Sequence, residues 1–64
     1  DGVVAGVEVK AAATVGEEDF KGLKRLRDSL GERFACGVLL HDGDSVLPFG
    51  DRLFAMPVGQ LWAP

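Results

Sequence analysis

Phe34-Ala35-Cys36-Gly37-Val38-Leu39-Leu40-His41 is the stretch on which the fold turns. Read as a strand, it puts Phe34, Cys36, Val38 and Leu40 on one face and Ala35, Gly37, Leu39 and His41 on the other, so it is apolar on both. Eight residues are short for a buried helix and ample for a strand. A strand without a polar face belongs in the centre of a parallel sheet, covered on both sides.

Its neighbours supply the rest of a unit. Upstream, Phe20, Leu23, Leu26 and Leu30 recur at helical spacing, and Lys21, Lys24, Arg25 and Asp28 fall on the opposite side. Thr14-Val15-Gly16-Glu17 fits a Thr-x-x-Glu start, with Gly16 as a rival cap, and Glu17, Glu18 and Asp19 bring negative charge to the positive end of the helix. Gly31 is the stop signal. Asp19 falls between Leu26 and Leu30 on the helical wheel, so its carboxylate needs a partner or a wet end. Before the helix, residues 3–10 (VVAGVEVK) read as a first strand, with Val3, Ala5, Val7 and Val9 on one face and Val4, Gly6, Glu8 and Lys10 on the other. Strand, helix, strand makes a βαβ unit with a right-handed crossover.

Downstream, Asp42-Gly43-Asp44 marks a turn, Ser45 to Leu47 a returning strand, and Pro48-Phe49-Gly50-Asp51 a second turn. Leu53 to Met56 forms a last strand that Pro57 stops, and Val58 to Trp62 gives about one helical turn. The expected class is α/β: a βαβ core with short additional strands, in one domain over residues 1–64.

Size and charge remove several function classes. The chain has 64 residues, a net charge of −3 and a single cysteine. It cannot form an internal disulfide, has no apolar run near the ~20 residues of a membrane helix, and has no signal-peptide order. The expectation is a cytoplasmic protein with no membrane partner. Acidic balance argues against nucleic-acid binding driven by net charge alone. The opening Asp1-Gly2-Val3-Val4 has no initiator Met and enters a strand pattern almost at once, which reads as a fragment of something longer.

Glu8-Val9-Lys10 is the sharpest chemical candidate. A carboxylate and an ammonium two positions apart share a strand face and can set a divalent metal beside a phosphate oxygen, with Glu8 as oxygen ligand and Lys10 as the cation at the reacting phosphate. The same pattern is also what a surface ion pair leaves. Asp19 either reaches the Glu8 and Lys10 end of the sheet, pairing with Lys10 or touching a metal-bound water, or satisfies free N–H groups at the helix start. Lys21, Lys24, Arg25 and Arg27 could follow a phosphate backbone, but Glu17, Asp28 and Glu32 stand at helical neighbour spacing, the mark of an ion-paired face. His41-Asp42-Gly43-Asp44-Ser45 begins like a calcium loop, yet Leu47 and Leu53 occupy its required Gly and Glu positions, so it reads as a turn. Cys36 reads as a small buried hydrophobe.

VVAGVEVKAAATV, EEDFKGLKRL and GVLLHDGDSVLPFGDRLFAMPVGQLW together resemble the C-terminal part of the domain of unknown function that follows the ATPase domain in a large group of prokaryotic AAA-type ATPases. That domain is similar to the PD-(D/E)xK restriction-endonuclease-like fold, and the resemblance covers nearly the whole chain. It implies a partial nuclease-like domain with Glu8 and Lys10 as catalytic residues, and with Glu8 and the Val9 carbonyl facing Mg²⁺. It also implies the parent ATPase domain and nucleic acid as partners, with phosphodiester hydrolysis in the complete domain or, alternatively, a non-catalytic interaction or regulatory role. The family's first acidic residue has no match, and Asp1 lies roughly 23 Å of extended strand from Glu8. Mg²⁺ should therefore bind weakly and the isolated chain should be inactive. With the family's first strands missing, one sheet edge and one face should be under-covered. A homodimer through Phe49, Phe54 and Trp62 would protect them.

Overall fold

The computed structural model describes residues 2–59. Strand β1 (Val4–Val9) leads through a short 3₁₀ turn, Glu17–Phe20, into helix α1 (Lys21–Leu30). A second 3₁₀ turn, Gly31–Arg33, enters β2 (Phe34–His41), followed by β3 (Leu47–Pro48) and β4 (Leu53–Pro57). The sheet order is β1-β2-β4-β3, with β2 parallel to both β1 and β4, and β3 antiparallel to β4. This is a mixed α/β fold built on the expected βαβ unit.

The helix settles on the face of β1 that carries Val4, Gly6, Glu8 and Lys10, and glycine is the reason. Gly6 and Gly37 are partners across β1 and β2. A Cβ on Gly6 would stand 2.8 Å from Leu23 Cδ2 and 2.9 Å from Leu26 Cδ2, and one on Gly37 would stand 3.3 Å from the same Leu23 methyl. Two missing side chains thus form the floor on which Leu23 sits. Phe20, Leu23, Phe34, Leu39, Leu53 and Ala55 close the core around it, with Val15, Leu26, Leu30 and Phe49 packed against them. The stripe Phe20, Leu23, Leu26 and Leu30 faces the sheet as expected.

Three local expectations need correction. Of the two caps weighed, Gly16 and not Thr14 is the N-cap, and it caps the 3₁₀ turn that leads into α1. Strand β2 is central and parallel, but among the described residues only one of its faces is covered by a helix. The alternation along β2 is also broken: Val4 pairs with Phe34 and Ala5 with Cys36, so β2 carries an extra residue at Ala35. Such a bulge reverses side-chain parity. Phe34 therefore joins Gly37 and Leu39 under the helix, while Cys36, Val38 and Leu40 look the other way. Cys36 is half-buried there rather than buried.

Beyond β2 the strands are short and the connections do the positioning. Phe49 leaves the expected exposed surface: its ring stacks on Phe20 with centroids 4.5 Å apart. Arg52 holds a left-handed backbone at φ 60°, costly for a side chain of its size. Its Nη1 donates to the carbonyls of Gly31 (3.0 Å) and Phe34 (2.6 Å), and its guanidinium lies 5.5 Å from the centre of the Phe34 ring. One side chain thus ties the end of α1, the start of β2 and the start of β4. Val58 and Gly59 open a helical turn; the rest of the turn expected to Trp62 lies outside the described residues, as does Asp1. No helix among the described residues is long and apolar enough to cross a membrane.

The glycine floor makes a graded prediction. A Cβ at Gly37 would meet Leu53 Cδ2 at 2.9 Å and Phe34 Cζ at 3.0 Å, a fully buried methyl and a ring that cannot swing aside. Gly37→Ala should cost about 1–3 kcal/mol by overpacking, and Gly6→Ala should cost less, because both atoms in its way are the ends of leucine side chains. Urea unfolding of the two variants checks the order, and an equal or greater loss at Gly6 would refute the account.

Candidate functional site

Glu8 and Lys10 leave the sheet together, on the face that α1 covers and next to the start of the helix. A Cβ on Gly22 would be 3.3 Å from Glu8 Oε1, so the carboxylate lies along the first turn of α1. Glu8 is exposed and has no hydrogen bond or ion pair among the described residues. The Lys10 N–H donates to the Leu40 carbonyl at 2.8 Å, inside the sheet. Because successive backbone groups of a strand alternate in direction, the Val9 carbonyl points away from β2, toward the free edge of β1.

Asp19 decides what Lys10 does. Lys10 Nζ donates to Asp19 Oδ2 at 2.8 Å, and the Gly16 N–H donates to the same oxygen at 2.8 Å. The Asp19 N–H returns a bond to the Gly16 carbonyl at 3.1 Å. The two roles weighed for Asp19 are thus one arrangement: it closes the helix start and binds the lysine. The Gly16 N–H first, and the Lys10 ammonium second, hold the Asp19 carboxyl below its ordinary value of 3.8, against a smaller opposing effect of desolvation. The pair staples the end of β1 to the beginning of the helix.

Could these residues hold a divalent cation? Glu8 offers one free carboxylate and Val9 one carbonyl, but Asp19 is committed to Lys10 and Gly16. Among the described residues, no three His, Cys, Asp or Glu side chains come together at metal-binding range. Mg²⁺ uses one or two carboxylates with substrate oxygens and waters. The described residues therefore do not fit a resident Mg²⁺ on their own.

The remaining candidates resolve into structural roles. Lys24 pairs with Glu17 at 2.9 Å and Arg27 with Asp28 at 3.2 Å, so half of the basic cluster is neutralised locally. Glu17, Lys24 and Arg27 also line a cleft of about 540 Å³ with Pro48, Phe49 and Gly50, away from the strand-borne pair in sequence. His41 is buried, its Nδ1 accepting the Gly43 N–H at 2.9 Å and its Nε2 donating to the Ser45 carbonyl at 3.1 Å. It pins the turn that the sequence suggested there. That turn meets the loop after β1, where the Asp42 N–H donates to the Ala12 carbonyl at 2.9 Å. Neither the His41 lock nor the Arg52 tie was visible in the sequence pattern; a lone histidine beside Asp-Gly-Asp was the available hint for the first.

The sequence pattern of a family described as Domain of unknown function (DUF4143) matches residues 1–61. Searches among curated proteins and among solved structures each found no match.

The Asp19 pair sets a pH dependence of stability. A carboxyl lowered by folding stabilises the fold fully above its ordinary value of 3.8, and that contribution is lost as pH falls through the lowered value. Urea unfolding from about pH 6 to about pH 2 should show this acid limb in the parent chain and a flatter one in Asp19→Asn. An unchanged limb in the variant would mean that other carboxylates carry it.

Proposed function

The chain belongs to the DUF4143 family, and from that membership and the site geometry we propose that it is a non-catalytic interaction module of an AAA-type ATPase-associated protein. The observation that carries this reading is the commitment of Lys10. Its ammonium is bound at 2.8 Å by Asp19, which a backbone N–H holds in place. A lysine that served phosphodiester cleavage would have to aim its charge at a phosphate oxygen. On this reading Lys10 does structural work, and the partner protein of the module is the parent ATPase domain. The ion pairs on α1 agree, since few uncompensated cations remain to follow a nucleic-acid backbone.

A second reading rests on Glu8. Its exposed carboxylate has no partner among the described residues, shares a face with Lys10, and adjoins the outward Val9 carbonyl at the free edge of β1. A strand added at that edge could bring a second carboxylate. The domain would then be nuclease-like, with nucleic acid as partner and Mg²⁺ as the ion for which Glu8 and Val9 supply donors.

The test incubates the chain with single- and double-stranded DNA and RNA in Mg²⁺ or Mn²⁺, and follows Glu8 by NMR as metal is added. No cleavage, and Glu8 shifts only at millimolar metal and above, are expected. Cleavage that disappears in both Glu8→Ala and Lys10→Ala would overturn the module reading in favour of the second.

A further inference from the structure

We infer that His41 is a pH-sensitive latch: with a neutral ring it holds the turn after β2 closed against the loop after β1, and a proton on Nδ1 releases that turn. The inference is independent of the reading of Glu8 and Lys10.

Both ring nitrogens are committed, and together they fix the protonation state. Nδ1 lies 2.9 Å from the Gly43 nitrogen, whose N–H can only donate, so Nδ1 presents a lone pair. Nε2 lies 3.1 Å from the Ser45 carbonyl oxygen, which can only accept, so Nε2 carries the hydrogen. Only the neutral Nε2–H tautomer satisfies both. An imidazolium is a donor at each nitrogen, so its Nδ1–H would meet the Gly43 N–H donor to donor. The ring is 3% exposed, and among the described residues no carboxylate forms an ion pair with it. A charge there has neither water nor a counter-ion. Outward movement of the turn supplies both, since Asp42 and Asp44 in it are exposed carboxylates.

What the latch holds is a close contact between two loops. The Asp42 N–H donates to the Ala12 carbonyl at 2.9 Å. A Cβ on Gly43 would stand 2.9 Å from the Ala13 carbonyl oxygen and 2.9 Å from His41 Nδ1, so Gly43 is wedged between the ring and the loop after β1. The other charges at this end of the sheet are Glu8 and Lys10 on β1, with Asp19, which binds Lys10, in the turn before α1. On β4 the residue in register with His41 is the uncharged Pro57. Asp19, held below 3.8, keeps its charge down to about pH 5, so its pair with Lys10 stays closed while the latch opens. Release of the turn therefore frees the Ala12 carbonyl and uncovers the segment that follows Lys10, with the helix still in place.

NMR of the 64-residue chain from about pH 7 to about pH 5, the range in which imidazoles titrate, tests this. At the upper end the ring hydrogen is expected on Nε2, with scalar coupling across the bond from the Gly43 N–H to Nδ1. As the ring takes its proton that coupling should vanish. The opening constant of the Asp42 amide, read from hydrogen exchange, should rise by up to about tenfold per pH unit. Amides of the β2–β4 ladder should not follow, which separates release of the turn from global unfolding. In His41→Asn, Oδ1 takes the place of Nδ1 as the acceptor two residues before Gly43 and binds no proton, so the rise should be absent. Should that variant fail to fold, coupling and exchange in the parent chain decide alone. An Asp42 amide that opens no more readily at about pH 5, a hydrogen on Nδ1 at about pH 7, or the same rise in His41→Asn overturns the inference.

Discussion

Leu23 resting on Gly6 and Gly37 is the contact on which the rest of the structure depends. A helix can approach a sheet this closely only where side chains are missing beneath it, and the register places both glycines under one leucine. That choice of face has consequences on both sides of the sheet. It carries Glu8 and Lys10 toward the helix start, where Lys10 meets Asp19. It leaves Val7 and Val9 on the opposite face, so the more apolar side of β1 is the uncovered one. For a chain of this length, whose whole stability is of the order of 3–10 kcal/mol, one methyl group at such a seat is a large perturbation.

How much of this was legible in the sequence follows from what each signal encodes. Periodicity gave the βαβ order and the stripe Phe20, Leu23, Leu26 and Leu30, because burial of that stripe is what makes the helix form. It failed at Ala35, where a single extra residue reverses parity and moves Phe34 into the core; alternation contains no mark for a bulge. It also could not place Phe49 on Phe20, nor see Arg52 reaching Gly31 and Phe34, since these contacts join segments far apart in the chain. Asp19 was half legible. Its misfit on the apolar side of the helical wheel announced that it needed a partner, and the wheel could not name Lys10.

The Lys10–Asp19 pair also shows how a chemical motif and a structural one can share residues. A part-exposed ion pair contributes little by itself, but this one adds a backbone bond from Gly16 to the same carboxylate oxygen and joins two segments of the unit. Such coupling gives a reason for the lysine and the acid that requires no reaction. Glu8 has no comparable structural partner among the described residues, so any chemistry at this strand end depends on Glu8 and on what is brought to the free edge beside Val9.

The face of the sheet opposite α1 carries the other half of the energetics. A chain this small removes only about 60% of its unfolded surface from water, and here part of what stays wet is Val3, Val7, Val9 and Phe54 on one side of a parallel sheet. Removing those side chains from water adds apolar burial at no further cost in backbone ordering, because the strands are already fixed by the helix on the other face. The glycine floor on one face and the exposed valines on the other are therefore two halves of one problem, the coverage of a parallel sheet that has a single α-helix among the described residues.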